Sequence, residues 1–233
     1  MTGEGARSLL NEAPTGSPVP PEVLMTPPTG SVLVLAPHPD DETIGCGGAV
    51  ILHCRQGDRV KIVFATDGGA GDPQGYFANR DYRDLRRAEA RKAGEILGAR
   101  DLTFWEYQDG KLGEAEDLAD RLGKILAAEK PDIIYRPSTR EIHPDHWALG
   151  VAIETALRQY MPAVGDFCYE IWATVQPTHV IDITAVWDVK RKAVEQYQSQ
   201  LRYNDYLHMV GGLNAYRSIY LPSARYVEAF EAG

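Results

Sequence analysis

Two short clusters of histidine and carboxylate residues could bind a metal ion and move protons. The first is PHPDDE at residues 37–42, and the second is HPDH at residues 143–146. A hydrolytic zinc site uses three nitrogen or oxygen ligands and leaves a further position open for water. His38, Asp41 and His146 form such a set, with two histidines and one carboxylate, and we predict that they bind the metal.

The other polar residues of the clusters predict general acid–base chemistry. Zinc lowers the pKa of its water toward neutrality, and a nearby carboxylate can take the proton as a carbonyl is attacked. Asp40 is the predicted general base. The oxyanion and the leaving nitrogen both need a donor, and His143 could serve either, with Asp145 setting the tautomer and basicity of His143. Glu42 is assigned mainly to the first turn of a helix, where negative charge is favourable.

Each cluster also has a purely structural explanation. A lone histidine is more often a structural residue than a ligand, and an acidic pair after a strand is often only a feature of a helix N-terminus. Here two clusters, both interrupted by proline, stand at the ends of predicted strands. Their combination favours the catalytic interpretation.

The fold must bring the two clusters together. Residues 31–36 (SVLVLA) form a continuous apolar run, typical of a strand buried on both faces, and residues 132–136 (DIIYR) form another strand. Ligands bind beyond the carboxyl ends of parallel strands, where the strand order reverses. The clusters should therefore meet if these two strands are neighbours in the sheet.

The remaining pattern alternates between strands and helices, which predicts an α/β protein with a parallel sheet. The tail from Arg202 has no clear helix or strand pattern and is rich in tyrosine. These tyrosines could select the substrate, or they could belong to the core or to a subunit interface, and an interface would make the protein a homo-oligomer. Further strands are predicted at residues 60–66, 102–107, 167–175 and 180–183, and helices at residues 43–56, 81–97, 115–126, from Asp145 onward and at 186–201.

Length and composition limit the class of protein. The 233 residues suit one domain plus a tail, and six prolines among the first thirty residues predict a flexible arm at residues 1–30 before a single domain at residues 31–233. A formal charge of -9 argues against nucleic-acid binding. Three cysteines without CxxC spacing, and no apolar segment of signal or membrane type, predict a cytoplasmic protein without a membrane partner.

The two clusters resemble the signature of the LmbE-like, or PIG-L, deacetylase family. The match comprises APHPDDETIGCGG at residues 36–48 and HPDH at residues 143–146, and its context agrees over residues 31–200. The resemblance implies a Rossmann-like three-layer α/β fold with a mainly parallel sheet. It also implies zinc-dependent hydrolysis of N-acyl groups, often from N-acetylglucosamine-type sugars, with the ligands, base and acid given above.

The resemblance adds two substrate-binding residues. Arg86 resembles a family arginine that positions substrate, and Asp109 resembles a family carboxylate that hydrogen-bonds sugar hydroxyls. A solvated helix charge and a turn residue are the respective alternatives. The chain departs from the family at Tyr197, which stands where members commonly carry a histidine.

Competing functions stay open at this point. A nucleotide-binding loop is disfavoured because Gly45, Gly47 and Gly48 lack the GxGxxG spacing, and close helix packing explains these glycines better. A metal-dependent esterase or other small-molecule hydrolase could use the same site, and so could a non-catalytic binding protein. The predicted partner is an N-acylated small molecule, which the resemblance implies to be a sugar. The predicted metal is zinc, with iron as the alternative.

Overall fold

The computed structural model describes residues 19–161 and 164–233, which form a β-sheet with helices on both faces. The strands are β1 (Glu22–Leu24), β2 (Val32–Ala36), β3 (Val60–Thr66), β4 (Asp101–Tyr107), β5 (Ile133–Pro137), β6 (Gly165–Tyr169), β7 (His179–Asp182) and β8 (Val227–Ala232). The α-helices are α1 (Asp41–Gln56), α2 (Tyr82–Leu97), α3 (Leu118–Glu129), α4 (Pro144–Tyr160), α5 (Trp187–Val194), α6 (Gln198–Leu201) and α7 (Tyr206–Arg217).

The sheet order is β1-β7-β8-β6-β5-β2-β3-β4. Strand β8 runs antiparallel to both of its neighbours, whereas the other paired strands are parallel. Alternate residues of β2 point to opposite faces: Val32 and Val34 pack with α1 and α2, and Leu33 and Leu35 pack with α3 and α4. These three layers confirm the predicted α/β fold. Among the described helices, none has both the length and the apolar character needed to cross a bilayer.

Strands β2 and β5 lie side by side, which meets the condition under which the two clusters were expected to come together. Val32 pairs with Ile133 and Val34 with Tyr135, in parallel register. The chain continues from β2 to β3 on one side and from β5 to β6 on the other, so the strand order reverses between β2 and β5. Both polar clusters follow the carboxyl ends of these strands, at the place where α/β sheets bind ligands.

Strand β6 is shorter than predicted. The apolar run at residues 167–175 suggests one long strand, but β6 ends at Tyr169. The backbone N–H groups of residues 171–173 donate to the Glu141 carboxylate. Because these donors have a side-chain acceptor, they are not available for pairing with a neighbouring strand.

The helix predicted over residues 186–201 is divided into α5 and α6. Glu89 accepts hydrogen bonds from the Ser199 backbone N–H at 2.8 Å and from the Ser199 hydroxyl at 2.6 Å. The buried Tyr197 hydroxyl donates to Glu42 Oε1 at 2.5 Å. These long-range bonds favour a break between the helices, and they give Glu42 a structural role beyond the helix dipole.

Both ends of the chain differ in part from the prediction. The tail from Arg202, for which no element was predicted, contains α7 and β8. Strand β8 is not evident in the sequence because its buried Glu228 interrupts the apolar pattern. In the predicted arm, residues 1–18 lie outside the described residues, and β1 forms an edge strand paired with β7. The boundary at residue 31 stays a prediction.

The glycines after the first cluster allow close packing, as predicted. A Cβ at Gly45 would lie 2.4 Å from Tyr169 Cδ2, and a Cβ at Gly48 would lie 2.5 Å from Ile183 Cγ2. Larger residues at these two positions would push α1 away from the sheet.

Helix α1 has a kink that a buried ion pair stabilises. Cys46 has non-helical dihedral angles, and the N–H groups of Gly48 and Ala49 donate to Glu228 at 2.7 and 2.8 Å. The carbonyl of Ile44 accepts from Lys190 Nζ at 2.8 Å, and Lys190 Nζ lies 2.7 Å from Glu228 Oε1. The pair thus provides partners for backbone groups at the kink.

We expect Lys190→Met to destabilise the protein by about 3–5 kcal/mol, because it leaves the Glu228 charge buried without a counter-ion. Urea unfolding followed by circular dichroism measures this change. Lys192→Met, on the exposed side of the same helix, is the control and should stay within about 0.5 kcal/mol of the wild type. Equal stability of the two variants would contradict the role given to the pair.

Candidate metal centre and active site

The first cluster forms the turn between β2 and α1, and the second begins α4. Asp41 is the first residue of α1, and its Oδ2 accepts the His38 backbone N–H at 2.9 Å. His146 lies in the first turn of α4, after Pro144 at the start of the helix. Proline suits this position because its fixed φ angle is already helical and the first N–H of a helix needs no partner.

Three acceptor atoms from these elements converge on one point. His38 Nδ1 lies 3.1 Å from His146 Nε2 and 3.1 Å from Asp41 Oδ2, and His146 Nε2 lies 3.3 Å from Asp41 Oδ2. All three side chains are almost completely buried. The prediction that the clusters meet is therefore confirmed.

The outer ring nitrogens of both histidines face carboxylates. His38 Nε2 lies 3.1 Å from Asp109 Oδ1 and 3.2 Å from Asp145 Oδ2, and His146 Nδ1 lies 3.3 Å from Glu141 Oε2. A neutral imidazole donates from one nitrogen and accepts at the other. With the outer nitrogens donating to carboxylates, the lone pairs of His38 Nδ1 and His146 Nε2 face each other and Asp41.

The donor set fits a divalent cation. Nitrogen and oxygen ligands at about 2.0–2.2 Å in a tetrahedron lie roughly 3.3 Å from one another, close to the distances found here. The charges agree with this fit: burial lowers the pKa of His146, but Asp41 and Glu141 together outweigh burial and raise the pKa to about 9. The cluster therefore favours positive charge at its centre.

Two other groups of side chains also bring potential ligand atoms within 4.8 Å of one another. One group replaces Asp41 with His143, and the other combines His38 with Asp109 and Asp145. In the second group the carboxylates already accept from backbone N–H groups as well as from His38. Because Asp109 and Asp145 are already bonded to the backbone, they are better suited to orient His38 than to bind the metal themselves.

Asp40 has a strained backbone and a perturbed carboxyl. Its φ of 141° lies in a region that residues other than glycine rarely adopt. Arg86 Nη2 donates to the Pro39 carbonyl at 2.5 Å and lies 3.4 Å from Asp40 Oδ2. Burial raises the pKa of Asp40 to about 7, with Arg86 opposing this change and Asp41 adding to it. A carboxyl that titrates near neutrality suits a general base.

His143 and Asp145 interact differently from the prediction. The Asp145 carboxylate accepts from the N–H groups of Gly110 and Leu112 and contacts His38 Nε2, so it does not set the tautomer of His143 through its side chain. Instead, the Asp145 backbone N–H donates to His143 Nδ1 at 3.2 Å, because His143 is the N-cap of α4. This contact leaves the proton of a neutral His143 on Nε2. Burial and the nearby histidines lower the pKa of His143.

The two residues suggested by the resemblance both line the same cleft, whose volume is about 260 Å³. Asp109 uses one oxygen for His38 and the other for the Ala70 N–H. Arg86 is buried beside Asp40, and among the described residues its Nε atom has no hydrogen-bond partner. Arg86 is therefore not a solvated helix charge.

Several lining residues were missed in the sequence because they lie outside both clusters. From the tyrosine-rich region, Tyr203 and Tyr206 line the cleft, whereas Tyr197 is buried beneath it. Glu141 does not line the cleft but was also missed, although it stands only two residues before His143 and its Oε2 lies 3.3 Å from His146 Nδ1. The remaining lining residues that no motif indicated are Ala70, Gly71, Pro73, Trp172, Gln200 and Asn204.

The chain is similar in sequence and in fold to several known proteins. A probable N-acetyl-alpha-D-glucosaminyl L-malate deacetylase of Bacillus cereus is 32% identical over 184 residues, covering 72% of this chain and 83% of the relative. The 4-oxalmesaconate hydratase of Pseudomonas putida is 29% identical over 225 residues, covering 86% of this chain and 87% of the relative. The inhibitor-bound N,N'-diacetylchitobiose deacetylase from Pyrococcus horikoshii superposes with a TM-score of 0.74 and 26% identity, covering 87% and 83% of the two chains.

The family profile described as GlcNAc-PI de-N-acetylase matches residues 33–157, which include both clusters and the strands that position them. The deacetylase relatives, the shared fold and this match agree with the resemblance carried by the two motifs. The chain belongs to the PIG-L (LmbE-like) family.

Proposed function

We propose that this protein is a metal-dependent N-deacetylase that hydrolyses an N-acetyl or other N-acyl group on an amino sugar or a related small molecule. His38, Asp41 and His146 hold the ion, which is zinc or, as the alternative, iron. The observation that carries the proposal is the convergence of three acceptor atoms, 3.1–3.3 Å apart, in the wall of a cleft.

When bound, the ion would acidify a water molecule and polarise the acyl carbonyl. Asp40 lines the same cleft and takes the proton of the attacking water as oxygen adds to the acyl carbon. Arg86, paired with Asp40, keeps the carboxylate in place. Burial raises the pKa of the Asp40 carboxyl, so this group can hold the proton of the water before it passes to the leaving nitrogen.

His143 serves the later part of the reaction. Its Nε2–H donates a hydrogen bond to the oxygen that becomes negative in the tetrahedral intermediate, and the leaving nitrogen takes the proton that Asp40 removed from the water. The C–N bond then breaks, and the products are a carboxylic acid and a free amine. The Asp145 N–H at Nδ1 supports this donor because it holds the proton of His143 on the opposite nitrogen.

The relatives support an amino-sugar substrate. The Bacillus cereus and Pyrococcus horikoshii proteins are deacetylases whose names contain N-acetylated sugars. Arg86 and Asp109 both line the cleft, where the resemblance gives Arg86 the role of positioning substrate and Asp109 that of binding sugar hydroxyls.

Hydration of an unsaturated acid is a second candidate function, favoured by the long alignment with the Pseudomonas putida hydratase. The same base and ion could add water to a double bond. Against it, Arg86 is the one lysine or arginine among the residues lining the cleft, and it is already paired with Asp40, so few groups could neutralise an organic acid.

A substrate panel distinguishes these functions. Protein loaded with Zn²⁺ or Fe²⁺ should release free amine from N-acetylglucosamine-type sugars faster than it cleaves matched esters or phosphoesters. Hydration of an unsaturated dicarboxylate without amine release would replace the proposal with the second candidate. Metal binding without turnover of any of these compounds would indicate a non-catalytic binding protein.

Asp40→Asn should lose about 10²–10⁴-fold in kcat while binding the metal as the wild type does, because it removes the proton acceptor and keeps the ligands. Amine release and metal content measure the two effects on the same preparation. Normal turnover by Asp40→Asn would show that another group is the base.

His146→Ala should lose the metal, since it removes one of the three converging acceptor atoms. His143→Ala is the matched control: it removes a neighbouring imidazole and should keep about one metal ion per chain while losing turnover. Elemental analysis after dialysis measures both. Loss of the metal from His143→Ala, with retention in a variant such as Asp41→Asn, would assign the ion to the three-histidine group instead.

A further inference from the structure

We propose that Glu141 is a positioning residue that joins the candidate metal site to an aromatic subsite formed by Trp172, and that Trp172 binds the ring face of an amino sugar. The role of Trp172 rests on the proposed function, whereas the effect of Glu141 on metal binding can be measured without substrate.

Glu141 is buried and uses both carboxylate oxygens. Oε2 lies 3.3 Å from His146 Nδ1, and Oε1 accepts the N–H groups of Ile171, Trp172 and Ala173 at 3.0–3.3 Å. A carboxylate has about four lone-pair sites and no proton to donate when ionised, which suits these four donors. One side chain thus orients a candidate ligand and fixes the backbone of the segment that carries Trp172.

The orientation of His146 depends on this contact. By accepting from Nδ1, Glu141 holds the imidazole in the tautomer that directs the Nε2 lone pair toward His38 and Asp41. Mutation of a carboxylate that accepts from the outer nitrogen of a metal-binding histidine typically lowers metal affinity or activity 10–100-fold.

Trp172 lies in the wall of the same cleft. Its ring centroid is 5.5 Å from that of His143 and 6.3 Å from that of His146, both in edge-on arrangements, and 52% of the residue is exposed. Trp147 is equally exposed, so exposure alone does not mark a subsite; Trp172 differs because it lines the cleft beside His143 and His146. The backbone bonds to Glu141 keep it in place before any substrate arrives, which reduces the entropy lost on binding.

The position of Trp172 indicates the class of ligand. The ring stands beside His143, the proposed donor to the oxygen of the tetrahedral intermediate, so it lies near the place where the acylated nitrogen and its substituent would bind. Arg86, Asp109 and Asn204 supply polar groups elsewhere in the cleft. An amino sugar matches this combination, because it has an apolar ring face and hydroxyl groups at its edge.

Zn²⁺ affinity, measured by competition with a chromophoric chelator, tests the role of Glu141. Glu141→Gln replaces one acceptor oxygen with an NH₂ group and should weaken Zn²⁺ binding about 10–100-fold. Glu170→Gln is the matched control: Glu170 is buried, accepts the Val175 N–H and pairs with Arg217 in the same region, but has no hydrogen bond to His146. It should bind Zn²⁺ as the wild type does even where it lowers the melting temperature. Wild-type Zn²⁺ affinity in Glu141→Gln, or equal weakening in both variants, would overturn the positioning role.

Calorimetry tests the aromatic subsite with N-acetylglucosamine and the ring-free N-acetylethanolamine, using zinc-loaded Asp40→Asn as the parent protein so that binding is measured without turnover. Trp172→Ala should weaken sugar binding roughly tenfold and leave binding of the ring-free amide and of Zn²⁺ unchanged. Trp147→Ala is the control, because Trp147 is also 52% exposed but lines a different depression. Unchanged sugar affinity in Trp172→Ala, or no sugar binding by the parent protein, would overturn the subsite.

These outcomes are separable from failure of the proposed function. A protein that binds N-acetylglucosamine through Trp172 but releases no amine would refute the deacetylase and keep the subsite. A protein that deacetylates ring and ring-free amides equally well, with or without Trp172, would keep the deacetylase and refute the subsite.

Discussion

The site depends on a concentration of buried hydrogen-bond acceptors that face one another. His38 Nδ1, His146 Nε2 and Asp41 Oδ2 lie within 3.3 Å of each other, and the protons of both imidazoles are directed outward to carboxylates. Such an arrangement is unfavourable unless a cation, a proton or a metal ion, lies at its centre. The parallel pairing of β2 and β5 produces it, because their following turns must share one end of the sheet.

A network of buried polar contacts holds these turns in place. Arg86 donates to the Pro39 carbonyl next to the strained Asp40, and the hydroxyl of Tyr197 donates to Glu42 in the first turn of α1. Further along α1, Lys190 and Glu228 provide partners for the backbone at the kink. Strained and charged groups persist only where the surrounding structure fixes them, and here the fixation comes from α2, α5, β8 and the turn before α6.

Much of this structure could be predicted because it rests on local patterns. The apolar runs of β2, β3 and β5 identify buried strands, and the two motifs identify the candidate ligands. Long-range polar contacts could not be predicted: Glu89 bonds Ser199 and divides a helix that looks continuous, and Glu141 takes the N–H groups that would have extended β6. The predicted contact between the side chains of Asp145 and His143 was wrong for the same reason. The two residues are close in sequence, but the Asp145 carboxylate contacts His38 and the N–H groups of Gly110 and Leu112.

The central claim is that these three acceptor atoms bind one metal ion. A crystal structure of the zinc-loaded protein, with anomalous scattering recorded at the zinc absorption edge, tests it most directly. We expect a single strong peak about 2.0–2.2 Å from His38 Nδ1, Asp41 Oδ2 and His146 Nε2, with Glu141 still bonded to His146. A peak coordinated by His143 in place of Asp41, or one between Asp109 and Asp145, would contradict it.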